Sequence, residues 1–320
     1  MPDEDSEPDR LVLLAGTANA DLADAMAAEL HTTLAARTVT RFPDSELRVS
    51  IEDTVRDADV FLVQPTTPPS DGHLLEALLL ADAARRAGAA RLTAVMPYVA
   101  YARQGRRAAG REPVGGRLVA DLLRTAGFER VVAVDLHTPA VEGFFAMPVE
   151  HLSAVPLLAR GVRADGHPPV DVVVAPDLGA VKLAERYAAL LRLPMAVVPK
   201  MRLSGTEVKV RAVVGDVHGR RPLVIDDMIS TGGTIEAAVR ALLAAGCAPA
   251  VSVAATHGLL VGGAVDRLHA LPIERLLVTD SVPIGHDLPL PVERVSLAPL
   301  LATVIRRLHR GESLADLFAH

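Results

Sequence analysis

Tryptophan is missing from the chain, cysteine occurs once, at Cys247, and aromatic residues together make up 3% of 320 residues. A single thiol excludes an intrachain disulfide and a cysteine-built zinc site, and it fits a reducing cytoplasm. With so few rings, Ala, Val and Leu must build the core; 50% hydrophobic against 22% charged residues is the balance of a folded globular chain. Basic charge is not concentrated either. The net charge is -6 and the Arg residues are scattered, so no stripe exists for a long polyanion such as nucleic acid. No long apolar run survives inspection. Residues 241–265 carry no Asp, Glu, Lys or Arg, but Gly246, Pro249, His257, Gly258, Gly262 and Gly263 break them into a helix end, a buried strand and a loop, so no membrane span is expected. The opening MPDEDSEPDR lacks the basic-then-apolar order of a signal or transit peptide, and a frayed tail over residues 1–9 is expected.

What the chain does have is alternation. RLVLLAG precedes ADLADAMAAEL, DVFLVQP precedes LLEALLLADAARRAG, RLTAVMPY precedes GGRLVADLLRTAG, and RVVAVDL follows. Strand-length apolar runs between helical periods predict an α/β fold with mostly parallel sheets covered by helices. The alternation pauses at RADGHPPVD and restarts with VVVAPD, GAVKLAERYAALLR and PMAVVPK. Two domains follow, 10–153 and 154–308, and the C-terminal segment 309–320, with its LADLF, could pack back on the first. The halves resemble each other: RVVAVDLHTPAVEGF and AVSVAATHGLLVGGAV each follow a helix ending in Ala-Gly, and each puts Thr and His together beyond a strand. An internal duplication would place a site between two similar domains. VKVRAVV, then GDVHG, then RPLVID predict a hairpin with one wet face, which would leave Lys209 and Arg211 solvated.

VIDDMISTGGT, residues 224–234, joins a buried strand read over Leu223, Val224 and Ile225 to a helix whose Ile235, Val239, Leu242 and Leu243 recur at helical spacing. Ligands of open α/β sheets bind at such strand ends. Backbone N–H groups and the helix dipole attract a phosphate there, Gly232 and Gly233 let the chain close around it, and Ser230, Thr231 and Thr234 add hydroxyls. There is no P-loop Lys and no dinucleotide fingerprint. Asp226 and Asp227 would repel a phosphate, so they face sugar hydroxyls or Mg²⁺ on the same ligand. An ordinary helix start capped by Ser230 or Thr231 is the competing reading.

That turn resembles the ribose-phosphate motif of the type I phosphoribosyltransferase fold. FPDSELRV, PYVAYARQGRRAAGREP with VDLHTPAVEGFF, APDLGA and PKMRLSGTEV, in that order, resemble the ribose-phosphate pyrophosphokinase (phosphoribosyl pyrophosphate synthetase) family over most of the chain, with some archaeal-type features in Ser230 and RLSGTEV. The resemblance implies two tandem phosphoribosyltransferase-like domains, ATP and ribose 5-phosphate as substrates, Mg²⁺ as cofactor, and a homo-oligomer built from dimers, as a tetramer or hexamer. It further implies adenine-gripping roles for Phe42, Asp44 and Glu46, ATP contacts for Arg103, Gln104 and Arg106, metal positions at His137 and Asp177, and catalytic cations at Lys200 and Arg202. The sugar phosphate falls to Asp226, Asp227 and residues 230–234.

Those residue types suit those tasks. A phenyl face stacks on a base, carboxylates accept from its amine, Arg pairs with phosphates, and paired cations neutralise charge in phosphoryl transfer. Only three Lys stand among 33 basic residues, which makes Lys200 less incidental. Ser45, Gly105, Leu178 and Ser230 depart from the common family pattern. Two alternatives stay open: a silent regulatory paralogue, motivated by those departures, and a phosphoribosyltransferase that consumes the product.

Overall fold

The computed structural model describes residues 10–318 other than 108, 165, 167, 203–207, 211–212 and 286, and it leaves the side chains of 200–202 and 208–210 outside the description. The tail over 1–9 also lies outside the described residues. The chain divides into two units.

The first unit, residues up to Leu152 with Ser281–Pro283 and Leu297–Ala319, holds a parallel sheet. Its strands are β1 (Leu11–Ala15), β4 (Asp59–Val63), β5 (Arg91–Met96), β6 (Arg130–Val134) and β7 (Val149–Leu152), paired in that order. β2 (Arg37–Arg41) and β3 (Leu47–Ile51) form a separate antiparallel hairpin. Helices α1 (Ala20–Leu30), α2 (Ser70–Arg86) and α3 (Gly115–Ala126) fall at the predicted periods. Asn19 caps α1 by accepting the Leu22 N–H at 3.3 Å, and α3 stops at Gly127, whose φ of 112° suits glycine. The core is what a ring-poor sequence allows: Val, Leu and Ala of β4, β5 and β6 against Ala77, Leu80 and Ala81 of α2.

The second unit opens with α4 (Val155–Val162) and β8 (Val172–Ala175), then α5 (Val181–Leu191) and β9 (Met195–Val197). A two-stranded antiparallel ribbon, β10 (Lys200–Arg202) with β11 (Val208–Val210), precedes β12 (Pro222–Ile229), α6 (Gly233–Ala244), β13 (Val251–Gly258), α7 (Ala264–His269), β14 (Ile273–Thr279) and β15 (Val292–Val295). The parallel sheet runs β15-β14-β13-β12-β8-β9. Residues 241–265 are, as read from sequence, a helix end, the fully buried β13 and a loop. Among the described residues no helix is long and apolar enough to cross a membrane.

Two expectations need correction. The predicted hairpin from VKVRAVV into RPLVID does not form: β11 pairs backward with β10, while β12 is a central strand of the parallel sheet. The alternating pattern showed a strand with one polar face, which fits a two-stranded ribbon equally well and does not identify the partner. Lys209 and Arg211, read as solvated, lie outside the described side chains. The second domain was read through residue 308, whereas α8 (Ala298–His309) groups with the first unit. It packs on α1, Arg306 donates to the Glu29 carbonyl at 3.0 Å, and His309 reaches the buried Asp59 at 3.0 Å beside Arg91. Periodicity finds the apolar face of a helix but not the sheet it covers.

In the second unit the Arg275 side chain is buried, while its partner Glu293 keeps 34% of its side chain exposed. Arg275 makes a two-pronged contact with Glu293, both arms 2.8 Å, and donates to the carbonyls of Val162 and Gly161 at the end of α4. Truncation leaves the two α4 carbonyls without this donor and removes the Arg275 contact from the part-exposed Glu293, so Arg275→Ala should destabilise this unit by about 2–3 kcal/mol, read as a fall in urea midpoint.

Candidate functional site

From β8 the chain goes to β9 at one edge and then returns to β12 on the other side of β8, so the winding reverses between β8 and β12. Such a reversal opens a crevice beyond the strand ends. β12 pairs with β8 only from Pro222 to Val224 but with β13 through Ile229, so its last residues overhang the β8 side. The strand is longer than the sequence reading, because β13 and the following loop carry the ladder onward: Leu260 N–H donates to the Ile229 carbonyl and Val261 N–H to that of Ser230, each at 3.0 Å.

Two adjacent carboxylates, Asp226 and Asp227, sit there, and a third, Asp177, lies near enough to act on the charge of Asp226. Asp177, just beyond β8, accepts the Gly179 and Ala180 N–H groups through Oδ1 at 2.9 and 3.3 Å; its other oxygen has no hydrogen-bond partner among the described residues. Asp226 and Asp227 are half-buried on β12, with the Asp227 N–H donating to Asp226 Oδ1 at 2.9 Å. Burial first, then the adjacent Asp227 carboxylate and a hydrogen bond with that side chain, with a smaller push from Asp177, outweigh the downward pull of the Asp227 N–H and move Asp226 up to about 8. Like charges held this close want hydroxyl donors or a cation between them.

Beyond Ile229 comes the turn. Its helix start is Gly232, with φ 75°, and no side chain caps it. The competing reading, a cap by Ser230 or Thr231, is therefore not what this chain builds. A side chain at 232 would be strained in the left-handed region and would meet Leu268 at 3.4 Å. Thr231 and Gly233 are exposed, and Ser230 and Thr234 are half-buried, so hydroxyls and backbone N–H groups collect at the positive end of α6. Arg267 braces the turn from α7, donating to the Thr231 carbonyl and pairing with Glu236 of α6 at 3.0 Å. Sequence reasoning missed Arg267; 36 residues separate it from Thr231 and nothing local marks it.

The first unit winds the same way. β1 bridges Leu34 through Leu13 on one side and pairs with β4 on the other. Its crevice, however, is filled from within. The buried Glu76 accepts the Thr17 N–H at 2.6 Å and its hydroxyl at 2.7 Å, Gln64 accepts the Ala18 N–H at 3.1 Å, and a methyl group on Gly16 would lie 2.1 Å from Gln64 Oε1. The site residues expected from sequence in this unit lie instead on the loops after β5 and β6, which are neighbouring strands, and on the β2–β3 hairpin. Arg103, Gln104 and Arg106 lie exposed after β5; neither Arg has a carboxylate partner among the described residues. Gln104 lies over the start of α3, where a methyl group on Gly115 would come within 2.6 Å of its Oε1. His137 is exposed after β6.

Phe42, Asp44 and Glu46 form the tip of the β2–β3 hairpin. Phe42 and Glu46 close it at 2.9 Å, and Asp44 accepts the Glu46 N–H at 3.1 Å. Ser45 sits at φ 77°, the conformation that makes Gly usual in the family pattern. Phe42 is 46% exposed, with the Arg48 guanidinium 6.0 Å from its ring centre, so a face remains for a base. Lys200 and Arg202 have only their backbone described, in β10. Among the described residues no three metal-ligating side chains cluster as a self-sufficient cage.

Residues 11–127 match the model of the N-terminal domain of ribose phosphate pyrophosphokinase, and residues 203–319 match that of the phosphoribosyl synthetase-associated domain. A ribose-phosphate pyrophosphokinase of Rhodopirellula baltica is 42% identical over 315 residues, 96% of this chain and 98% of that protein. Another, of Caldanaerobacter subterraneus subsp. tengcongensis, is 40% identical over 309 residues, with the same 96% and 98% coverage. Among solved structures, the phosphoribosylpyrophosphate synthetase from Mycobacterium smegmatis aligns with a TM-score of 0.87 and 42% identity, covering 94% of this chain and 99% of that one.

Proposed function

The chain belongs to the ribose-phosphate pyrophosphokinase family, and we propose that its second unit holds the sugar phosphate at residues 226–234 while its first unit binds ATP. It is a ribose-phosphate diphosphokinase: the diphosphoryl group of ATP passes to the 1-hydroxyl of ribose 5-phosphate, giving 5-phosphoribosyl 1-diphosphate and AMP. The observation that carries the division of labour is the uncapped, left-handed start of α6 beside the Asp226–Asp227 pair. N–H groups and hydroxyls from Ser230 to Thr234 take the 5-phosphate, and the two acids accept from the ribose hydroxyls.

The donor set suits Mg²⁺, which takes few protein ligands and completes its shell with water and phosphate oxygens. His137 and Asp177 are each read as a position that would contribute to holding it; the Asp177 oxygen without a hydrogen-bond partner among the described residues is the kind of ligand it takes. When bound with ATP, the ion neutralises phosphate charge. Arg103, Gln104 and Arg106 hold the triphosphate, and Phe42, Asp44 and Glu46 hold adenine. The 1-oxygen forms its bond to the β-phosphorus as the bond from that phosphorus to the bridging oxygen of AMP breaks, and the hydroxyl proton is released. Lys200 and Arg202 neutralise the charge that builds on the diphosphoryl group and the departing AMP. The cytoplasm suits a chain whose one cysteine is free and buried, and the homo-oligomer built from dimers is carried over from the family resemblance alone.

Calorimetric titration tests the sugar-phosphate assignment. Ribose 5-phosphate should bind the wild type, and Gly232→Ala should weaken it at least tenfold by straining the turn. Unchanged affinity in the variant would remove the turn from the site. A companion change checks the adenine grip: Phe42→Ala should raise KM for ATP roughly 5- to 10-fold, the worth of one stacking contact, while leaving ribose 5-phosphate affinity unaltered.

A further inference from the structure

The backbone that presents His137 makes an unusual exit from its sheet. β6 and β7 run parallel with Ala133 opposite His151, and the ladder ends where the Asp135 N–H donates to the Leu152 carbonyl at 2.9 Å. Asp135 then turns into the left-handed region, φ 40°, which an aspartate enters more readily than most side chains. The next residue, Leu136, is 7% exposed, so its N–H has left the ladder without reaching water and needs an acceptor. His151 provides it: the Leu136 N–H donates to Nε2 at 2.8 Å. An Nε2 that accepts carries no proton, so the ring proton of the neutral imidazole is on Nδ1. Nδ1 faces Glu142 Oε1, on the short helical turn Pro139–Phe144 that follows His137.

One imidazole thus holds both ends of residues 136–142, with His137 between them. The same turn packs Val141 and Phe144 into the core, 3.6 and 3.8 Å from where a side chain at Gly105 would begin, so it also borders the ATP-side loop. We propose that His151 is a positioning residue: locked in its Nδ1–H tautomer by Glu142, it fixes the turn that aims His137. The proposal rests on the reading of His137 given above. Partners placed behind a ligating or phosphate-facing residue commonly alter affinity or turnover 10- to 100-fold without touching substrate.

The test pairs His151→Gln, whose amide can both accept from Leu136 N–H and donate to Glu142, with His151→Leu, which does neither. His151→Leu should lower kcat/KM for MgATP about 10- to 100-fold with ribose 5-phosphate affinity unchanged, and His151→Gln should stay within about threefold of wild type. Nitrogen-15 spectra of imidazole-labelled wild type, with the His151 signals identified by their loss in His151→Gln, should show a protonated Nδ1 and a bare Nε2; a protonated Nε2 overturns the proposal even if His151→Leu fails to fold. Equal activity of the two variants also overturns it. His137→Ala separates the two levels: if it is inactive while His151→Leu is normal, only the positioning claim falls, and if it is fully active, the role of His137 falls and the proposal with it.

Discussion

At pH 8.5, where the Asp226 carboxylate is charged, Asp226→Asn should weaken ribose 5-phosphate binding roughly 10- to 100-fold, the worth of charge-assisted hydrogen bonds to sugar hydroxyls, and yet make the ligand-free protein more stable. Both effects have one origin. Burial and the Asp227 charge raise the Asp226 carboxyl to about 8 in the folded chain, against about 3.9 for an aspartate in an unfolded one. A folded state that binds the proton more tightly gains most from it below the unfolded value, and it loses that gain as pH climbs through the folded one. Wild-type stability should therefore slope downward between about pH 4 and pH 8, and the Asn variant, with no proton to lose, should show a flatter profile. Because the group is half-buried, the difference at pH 8.5 is discounted to roughly 1–2 kcal/mol, a rise in thermal midpoint of about 3–6 °C. Ribose 5-phosphate should restore the wild type. Melting curves across pH, with and without the sugar, check this; a variant no more stable than wild type at pH 8.5 would mean the carboxylates are not in conflict. Sites that are strained until filled commonly exchange stability for binding in this way.

Lys200→Ala should lower kcat by about 10²- to 10³-fold while moving KM for either substrate much less, the signature of a contact made only as charge develops. Arg in its place should recover part of the loss, since a delocalised fork matches a single developing charge less well than an ammonium point charge. Steady-state kinetics of the two variants decide it. A raised KM for ATP at unaltered kcat would make Lys200 a ground-state ATP contact instead.

How much of this was legible in residues alone varies with the physics. Burial on both faces writes parallel strands as continuous apolar runs, so β4, β8 and β12 could be read directly, as could α1 and α3 from their period. The Ser-Thr-Gly-Gly turn was legible because only glycine serves a left-handed helix start there, and Gly232 takes φ 75°. Long-range pairing was not. Nothing local says that α8 covers the first sheet, that β11 pairs backward, or that Arg267 braces Thr231, because these depend on chain-distant partners. The His151–Glu142 pair was hidden for the same reason: each residue looks like a surface polar until β7 lies beside β6. The filled crevice of the first unit belongs here too, since Glu76 is 59 residues away from Thr17 and meets it only in the fold.

The most direct test follows the label of ATP carrying ³²P at the β-phosphorus, incubated with Mg²⁺ and with or without ribose 5-phosphate. Transfer of the labelled phosphorus to the sugar, with AMP formed one for one and only when the sugar is present, is the result expected of diphosphoryl transfer. Label left in ATP, from a folded protein that still binds ribose 5-phosphate, would contradict it and favour a silent regulatory chain, with Gly105 the first departure to reverse.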